Sequence, residues 1–202
     1  MTRLCWLAAT VLLGSCGRGT PEIAGDLTGA LLPTAVPRPS FTLTTTSGEP
    51  YRFRDRTSGR LTLLFFGYTH CPDVCPATMA NLGSVVGRLS SAERARVDVV
   101  FVTTDPERDT PAVLGPWLAA FEPSIVGLLG TSDAVRQAQE AAGIAVAVRD
   151  SGRGSYSVFH AAQVLVYSPD DSGHVAYPFG TRQAQWAADF PKLFERWGGA
   201  TR

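Results

Sequence analysis

The stretch RLTLLFFG, residues 60–67, constrains the fold more than any other part of the chain. A strand with one wet face alternates apolar and polar side chains, whereas a near-continuous apolar run needs cover on both faces. A sheet built around such a strand must lie between layers of helix. VDVVFVTT, residues 97–104, is a second run of the same kind. Between the two, Met79, Leu82, Val86 and Leu89 recur at helical spacing, with Pro76 where a first helical turn tolerates it. Strand, helix and strand in this order make a parallel crossover unit.

The rest of the chain extends that unit. SFTLTTTSGEPYRF predicts a hairpin in which Phe41 and Leu43 pair with Tyr51 and Phe53 across a Ser47-Gly48 turn. DTPAVLGPWLAAF predicts a helix capped by Asp109 or Thr110 and opened by Pro111, with Pro116 expected to kink or shorten it. SIVGLLG, a capped helix over 132–142 and a strand IAVAV follow. QVLVYSP and HVAYPF predict a last hairpin across residues 170–173, and a helix over 182–197 finishes the chain. Strands alternating with helices give an α/β core. The terminal hairpin followed by a helix makes it a thioredoxin-like fold with an added N-terminal β-hairpin. With 202 residues and 45% apolar content, the chain can fill one such core and carry tails.

The N-terminus, MTRLCWLAATVLLGSC, has a basic start at Arg3 and an apolar run over 4–13. That run is too short to span a hydrocarbon core of ~30 Å and suits a signal-peptide h-region. Leu13, Gly14, Ser15 and Cys16 together resemble a bacterial lipobox, in which the Cys is diacylated and becomes the new N-terminus; an ordinary signal peptide cut nearby is the alternative. The organisation expected is a lipoprotein-type signal peptide over 1–16 ending at lipidated Cys16, a flexible tether over 17–39 rich in Gly, Pro, Thr and Ala, and the domain over 40–202. The domain is then extracytoplasmic, on the periplasmic side, held by its lipid at the inner membrane. Eighteen basic and eighteen acidic residues balance, Lys192 is the only lysine, and the arginines are scattered. No nucleic-acid footprint results.

This placement simplifies the cysteines. Cys5 leaves with the signal peptide and Cys16 carries lipid, so Cys71 and Cys75 alone stay as thiols in the domain. They sit where a buried strand ends and a helix begins, at the sheet edge where α/β chemistry collects. A helix N-terminus there lowers a thiol pKa from its free value of ~8.5. Three roles fit. A structural disulfide would close a tiny loop and contribute little stability. A dithiol oxidoreductase normally uses C-x-x-C, one residue shorter, with a proline facing the pair; YSVFHAAQVLV, the facing segment, has His160 instead. A metal site would use that imidazole with both sulfurs, a set suited to soft Cu(I) and able to hold Cu(II), whereas structural zinc wants a fourth ligand.

GYTHCPDVCPATMANL, FVTTDPERDTP and FHAAQVLVYSPD are similar, in order and spacing, to the three signature blocks of the SCO/SenC copper proteins, and the resemblance runs from about Phe41 to the C-terminus. It implies Cys71, Cys75 and His160 as copper ligands and a role in assembling the CuA centre of cytochrome c oxidase subunit II. It also implies an N-terminal membrane anchor, consistent with the lipobox reading, and exchange with other periplasmic copper chaperones or thiol reductants. A metallochaperone rather than an enzyme is implied; a thiol-disulfide reductase acting on that subunit's cysteines, or a copper or redox sensor, is the alternative. The family's histidine block more often reads His-Ser or His-Thr, and here Ala161 follows.

Around these ligands, Asp73 is expected to accept N–H bonds from the turn or orient a partner, and Asp105, at the end of the second buried strand, to support the site. Pro72 and Pro76 should stiffen the loop. His70 should point away from the site, His174 should lie in the hairpin exposed, and Trp117, Trp186 and Trp197 should pack helix faces.

Overall fold

The computed structural model describes residues 26–150 and 156–197. The signal peptide and Cys16 lie outside these residues. Among the described residues no helix is long and apolar enough to cross a membrane.

Eight strands form one sheet in the order β1-β10-β9-β4-β5-β6-β2-β3. β4 (Leu61–Gly67) and β5 (Val97–Thr103) are its parallel centre, continued by β6 (Val126–Leu129). All seven residues of β4 are buried, as its lack of alternation requires. Its side chains alternate between two cores. Leu61, Leu63 and Phe65 pack with α2 (Val74–Val86), α4 (Pro111–Ala119) and α6 (Gln183–Trp197); Leu64 and Phe66 pack with α1 (Phe53–Thr57) and α5 (Ser132–Ala141). Helix, sheet and helix form three layers, the thioredoxin-like α/β arrangement. The short α3 (Ser91–Arg94) leads into β5 and carries a capping box between Ser90 and Glu93.

The two hairpins form where the turn residues place them. β2 (Thr42–Thr45) pairs with β3 (Pro50–Arg52) with Leu43 opposite Tyr51, and β2 also adds antiparallel to β6 at the sheet's edge. Phe53, expected in this strand, instead opens α1 and is fully buried. β9 (Val164–Tyr167) pairs with β10 (Ser172–Tyr177), and Asp171 takes a φ of 59° in the turn.

Two expectations change. Residues 30–37, placed in the tether, form β1 (Ala30–Pro37), antiparallel to β10. Arg38 follows it into the interior at 1% exposure, donating to Asp171, Thr57, Thr62 and the carbonyls of Arg60 and Ser168. Pairing with a partner far along the chain orders a segment whose own composition is that of a linker. IAVAV is not a strand of the sheet. Its backbone is bonded by the buried Gln139 side chain, through Nε2 to the Ala145 carbonyl and from the Ala147 N–H to Oε1. Only Val148–Arg149 (β7) is extended, in a separate ribbon with β8 (Val158–Phe159). Pro116 lies inside α4, which runs three residues beyond it and ends before Phe121, where the predicted helix stopped.

Candidate metal centre

Cys71 lies in the loop after β4, and Cys75 is the second residue of α2. The Cys71 N–H donates to the Tyr68 carbonyl at 3.3 Å, turning the chain, and the Cys75 N–H at the helix start points at Cys71 Sγ at 3.4 Å. His160 comes from the segment joining β8 to β9, across the sheet edge. Its Nε2 is 3.4 Å from Cys75 Sγ. The two sulfurs and one imidazole nitrogen lie within 4.8 Å of one another, and no other such group of three occurs among the described residues. Both cysteines are free thiols.

The imidazole is fixed on both sides. Its Nδ1 is 3.0 Å from the Ala161 carbonyl, which can only accept, so Nδ1 holds the proton and Nε2 keeps a lone pair toward the sulfurs. A backbone carbonyl thus does what a hydroxyl at position 161 could have done. The ring meets Phe65 and Tyr68 edge-on, with centroids 5.9 and 5.7 Å away.

The thiols share their protons unequally. The hydrogen bond from Cys75, aided by the backbone N–H groups of Cys75 and Asp73, lowers Cys71 from 9.0 to about 5. The same bond, burial and the neighbouring Cys71 charge push Cys75 up, so it keeps its proton and offers it to Cys71. Cys71 is 8% exposed and Cys75 not at all, so Cys71 and the half-buried His160 form the accessible edge.

Gly67, which the sequence marked only as the end of a strand, and Asp109, read there as a possible helix cap, hold this arrangement. A Cβ on Gly67 would sit 2.8 Å from Cys75 Sγ and 2.7 Å from Phe65 Cε1, so the sulfur occupies the space a side chain would need. Asp109 does not cap α4; Thr110 takes that position without a side-chain bond. Fully buried, Asp109 accepts from the Thr69 N–H at 3.1 Å, Thr69 Oγ1 at 2.6 Å and Thr103 Oγ1 at 2.7 Å, tying the cysteine loop to the end of β5. The second Asp of DPERDTP carries no local mark of this role, because both partners come from other elements.

Asp73 is exposed; its backbone N–H reaches Cys71, while its side chain makes no cap bond. Asp105 is 1% exposed and stands outside the three-residue group; it accepts from Arg108 Nε and, at 2.8 Å, from Tyr156 Oη. His70 is exposed, with Nδ1 3.0 Å from Thr69 Oγ1, and stands outside the three-residue group. His174 is half-buried rather than exposed, held by Asp170 at 2.8 Å and stacked on Trp197. Trp186 is in the core, and Trp117 packs between Phe101 and Phe121.

Two thiols and one imidazole are a donor set for copper, and the cluster lacks the fourth ligand of a structural zinc site. The SCO1/SenC family model matches residues 31–195. Apo Sco1 of Thermus thermophilus superposes with a TM-score of 0.73 at 34% identity, covering 83% of this chain and 96% of that one. ScoI of Bradyrhizobium japonicum, solved with copper bound, gives 0.69 at 28% identity over 78% of this chain and 99% of that one. The mitochondrial SCO2 homolog of Mus musculus is 33% identical over 146 residues, 71% of this chain. The match spans 56% of the mouse protein, little more than half of its length. Matched over most of its length by the family and carrying the converged cysteines and histidine, this chain belongs to the SCO1/SenC family.

Proposed function

We propose that this protein carries copper on Cys71, Cys75 and His160 and passes it to the CuA centre of cytochrome c oxidase subunit II. The observation that carries this reading is the convergence of two thiols and a correctly tautomerised imidazole within 4.8 Å at the end of the central strands. The Sco family is one of cytochrome c oxidase assembly proteins. Lipidation at Cys16 and anchorage on the periplasmic side of the inner membrane belong to the same proposal; a SCO1/SenC family lipoprotein occurs in Bacillus anthracis.

Copper here is cargo, so the site must bind it and also release it. Three donors leave a coordination position through which a partner's thiolates can enter. Metal binding needs both sulfurs as thiolates, and Cys71, whose pKa is lowered, gives up its proton more readily than Cys75, whose pKa is raised. Because Cys75 is fully buried, an incoming thiolate meets the Cys71–His160 edge first, and Cys75 is the last to let go.

The test is copper titration of the reduced domain. One copper per chain is expected, with thiolate-to-Cu(II) absorption that disappears in His160→Ala. If that variant keeps wild-type affinity and spectrum, the ligand assignment is wrong. The low Cys71 pKa favours one second reading, a thiol reductase. In it the Cys71 thiolate attacks a partner's disulfide, Cys75 resolves the mixed disulfide, and the partner gains two thiols as Cys71–Cys75 is oxidised. That activity would survive His160→Ala. A deletion strain that assembles its oxidase normally would point instead to a copper or redox sensor.

A further inference from the structure

Arg108 belongs to none of the roles above, yet its guanidinium lies between the two segments that make the site. Its Nε donates to the buried Asp105, and its Nη1 donates to the Tyr156 carbonyl at 3.1 Å. Its carbon lies 3.7 Å from the Tyr156 ring centroid and 5.7 Å from that of Tyr68. Arg149 lies 4.1 Å from the same Tyr156 ring, too near for both cations to share one face, and pairs with Glu107 at 2.8 Å. Tyr156 closes the loop by donating to Asp105 at 2.8 Å.

Both aromatic partners lead to the ligands. Tyr68 is buried, accepts the Cys71 N–H on its carbonyl, and presents its ring to His160. Tyr156 begins the segment that ends in His160, and two residues on, the Val158 N–H donates to Tyr68 Oη at 3.4 Å. The cysteine loop and the histidine segment are therefore joined by the Val158–Tyr68 hydrogen bond, by the approach of His160 to Cys75 at 3.4 Å, and by one arginine set against a tyrosine of each.

We propose that Arg108 is a positioning residue for His160: stacked on Tyr156 and Tyr68 and anchored by Asp105, it sets the histidine segment against the cysteine loop. A planar guanidinium can stack on rings while donating in two in-plane directions, and an ammonium cannot. Residues that orient a metal ligand without touching the metal are typically worth about 10–100-fold in affinity. The inference rests on the copper reading and concerns only the imidazole's share of it.

The experiment is a double-mutant cycle in copper affinity, measured against a competing chelator with Arg108→Lys, His160→Ala and the double variant. Lysine keeps a cation beside Asp105, so the fold should survive; thermal unfolding of each variant checks this. Arg108→Lys should weaken binding about 10-fold when His160 is present and less than about 2-fold when it is absent. Its Cu(II) spectrum should move toward that of His160→Ala. In the metal-free protein, amide exchange at Val158 should accelerate while that of β4 stays as in the wild type. Equal losses in both backgrounds, or wild-type affinity and spectrum in Arg108→Lys, would overturn the inference. A His160→Ala protein that binds like the wild type would instead remove the ligand assignment beneath it. If Arg108→Lys does not fold, Tyr156→Leu, which removes the stacked ring and leaves the Arg108–Asp105 pair, takes its place in the cycle with the same expected outcomes.

Discussion

Gly67→Ala is the smallest change that should reach the metal centre from beneath. The new methyl would stand 2.8 Å from Cys75 Sγ, 2.7 Å from Phe65 Cε1 and 3.2 Å from Phe101 Cε2. All three neighbours are fully buried, so none can swing into solvent, and Cys75 is also fixed by its helix. Relief must come from moving β4 away from α2 or turning the sulfur out of place. Over-packing a tight core by one carbon costs about 1–3 kcal/mol. At about 2–4 °C per kcal/mol for a domain of this size, the melting temperature of the reduced apo-protein should fall by about 2–12 °C. Copper affinity should fall as well, because the displaced sulfur belongs to the proposed copper site. Gly115→Ala is the control: on α4 its nearest neighbour would be Thr46 Cβ at 3.6 Å, ordinary contact, and removing a helical glycine should add about 0.5–1 kcal/mol. Differential scanning calorimetry and chelator competition on both variants decide the matter. A Gly67→Ala protein with wild-type melting and copper affinity would refute the close approach of strand and sulfur.

Asp109→Asn keeps the shape but weakens three hydrogen bonds to Thr69 and Thr103; it should cost about 1–3 kcal/mol in urea unfolding and lower copper affinity through the loosened cysteine loop. Arg38→Met abolishes five hydrogen bonds of a buried cation and should cost about 3–5 kcal/mol, so a domain begun at residue 40 should fold poorly; a truncated domain with full-length stability would refute this. In the reduced apo-protein the Cys71 pKa falls from 9.0 unfolded to about 5 folded, so its stabilisation is complete above about pH 9 and is lost as pH drops toward 5. Cys75, pushed up, works the other way above pH 9, so the joint contribution of the two thiols should peak near there. Cys71→Ser should flatten the pH 5–9 slope of melting temperature, and an unchanged slope would assign it to other groups.

The elements legible in the sequence are those whose hydrophobic pattern is complete within one segment. β4 and β5 declare two-sided burial by their composition, and the Met79-Leu82-Val86 spacing marks α2. The motifs also put Cys71, Cys75 and His160 together, through blocks whose order is preserved along the chain. What escaped depends on partners remote in sequence. β1 is Gly/Pro-bordered and weakly apolar, and only β10 makes it a strand. IAVAV has strand composition, but Gln139 satisfies its backbone first. Asp109 looks like a cap until Thr69 and Thr103 arrive.

The sequence by itself determined a doubly covered parallel sheet, a pair of thiols at the end of its central strand, and a histidine able to complete a soft-metal set. Those follow from local hydrophobicity and from the identity of the donor atoms. Only the tertiary structure decided how the donors differ: Cys71 is lowered by the bond from Cys75, Cys75 is raised by burial and that same bond, and Nδ1 of His160 faces the Ala161 carbonyl. It also decided the packing that enforces this, from the missing side chain at Gly67 to the arginine between two tyrosines. Such features are set by distances of 3–6 Å between segments ninety residues or more apart, as from Tyr68 to Val158 and His160, and a linear pattern does not encode them.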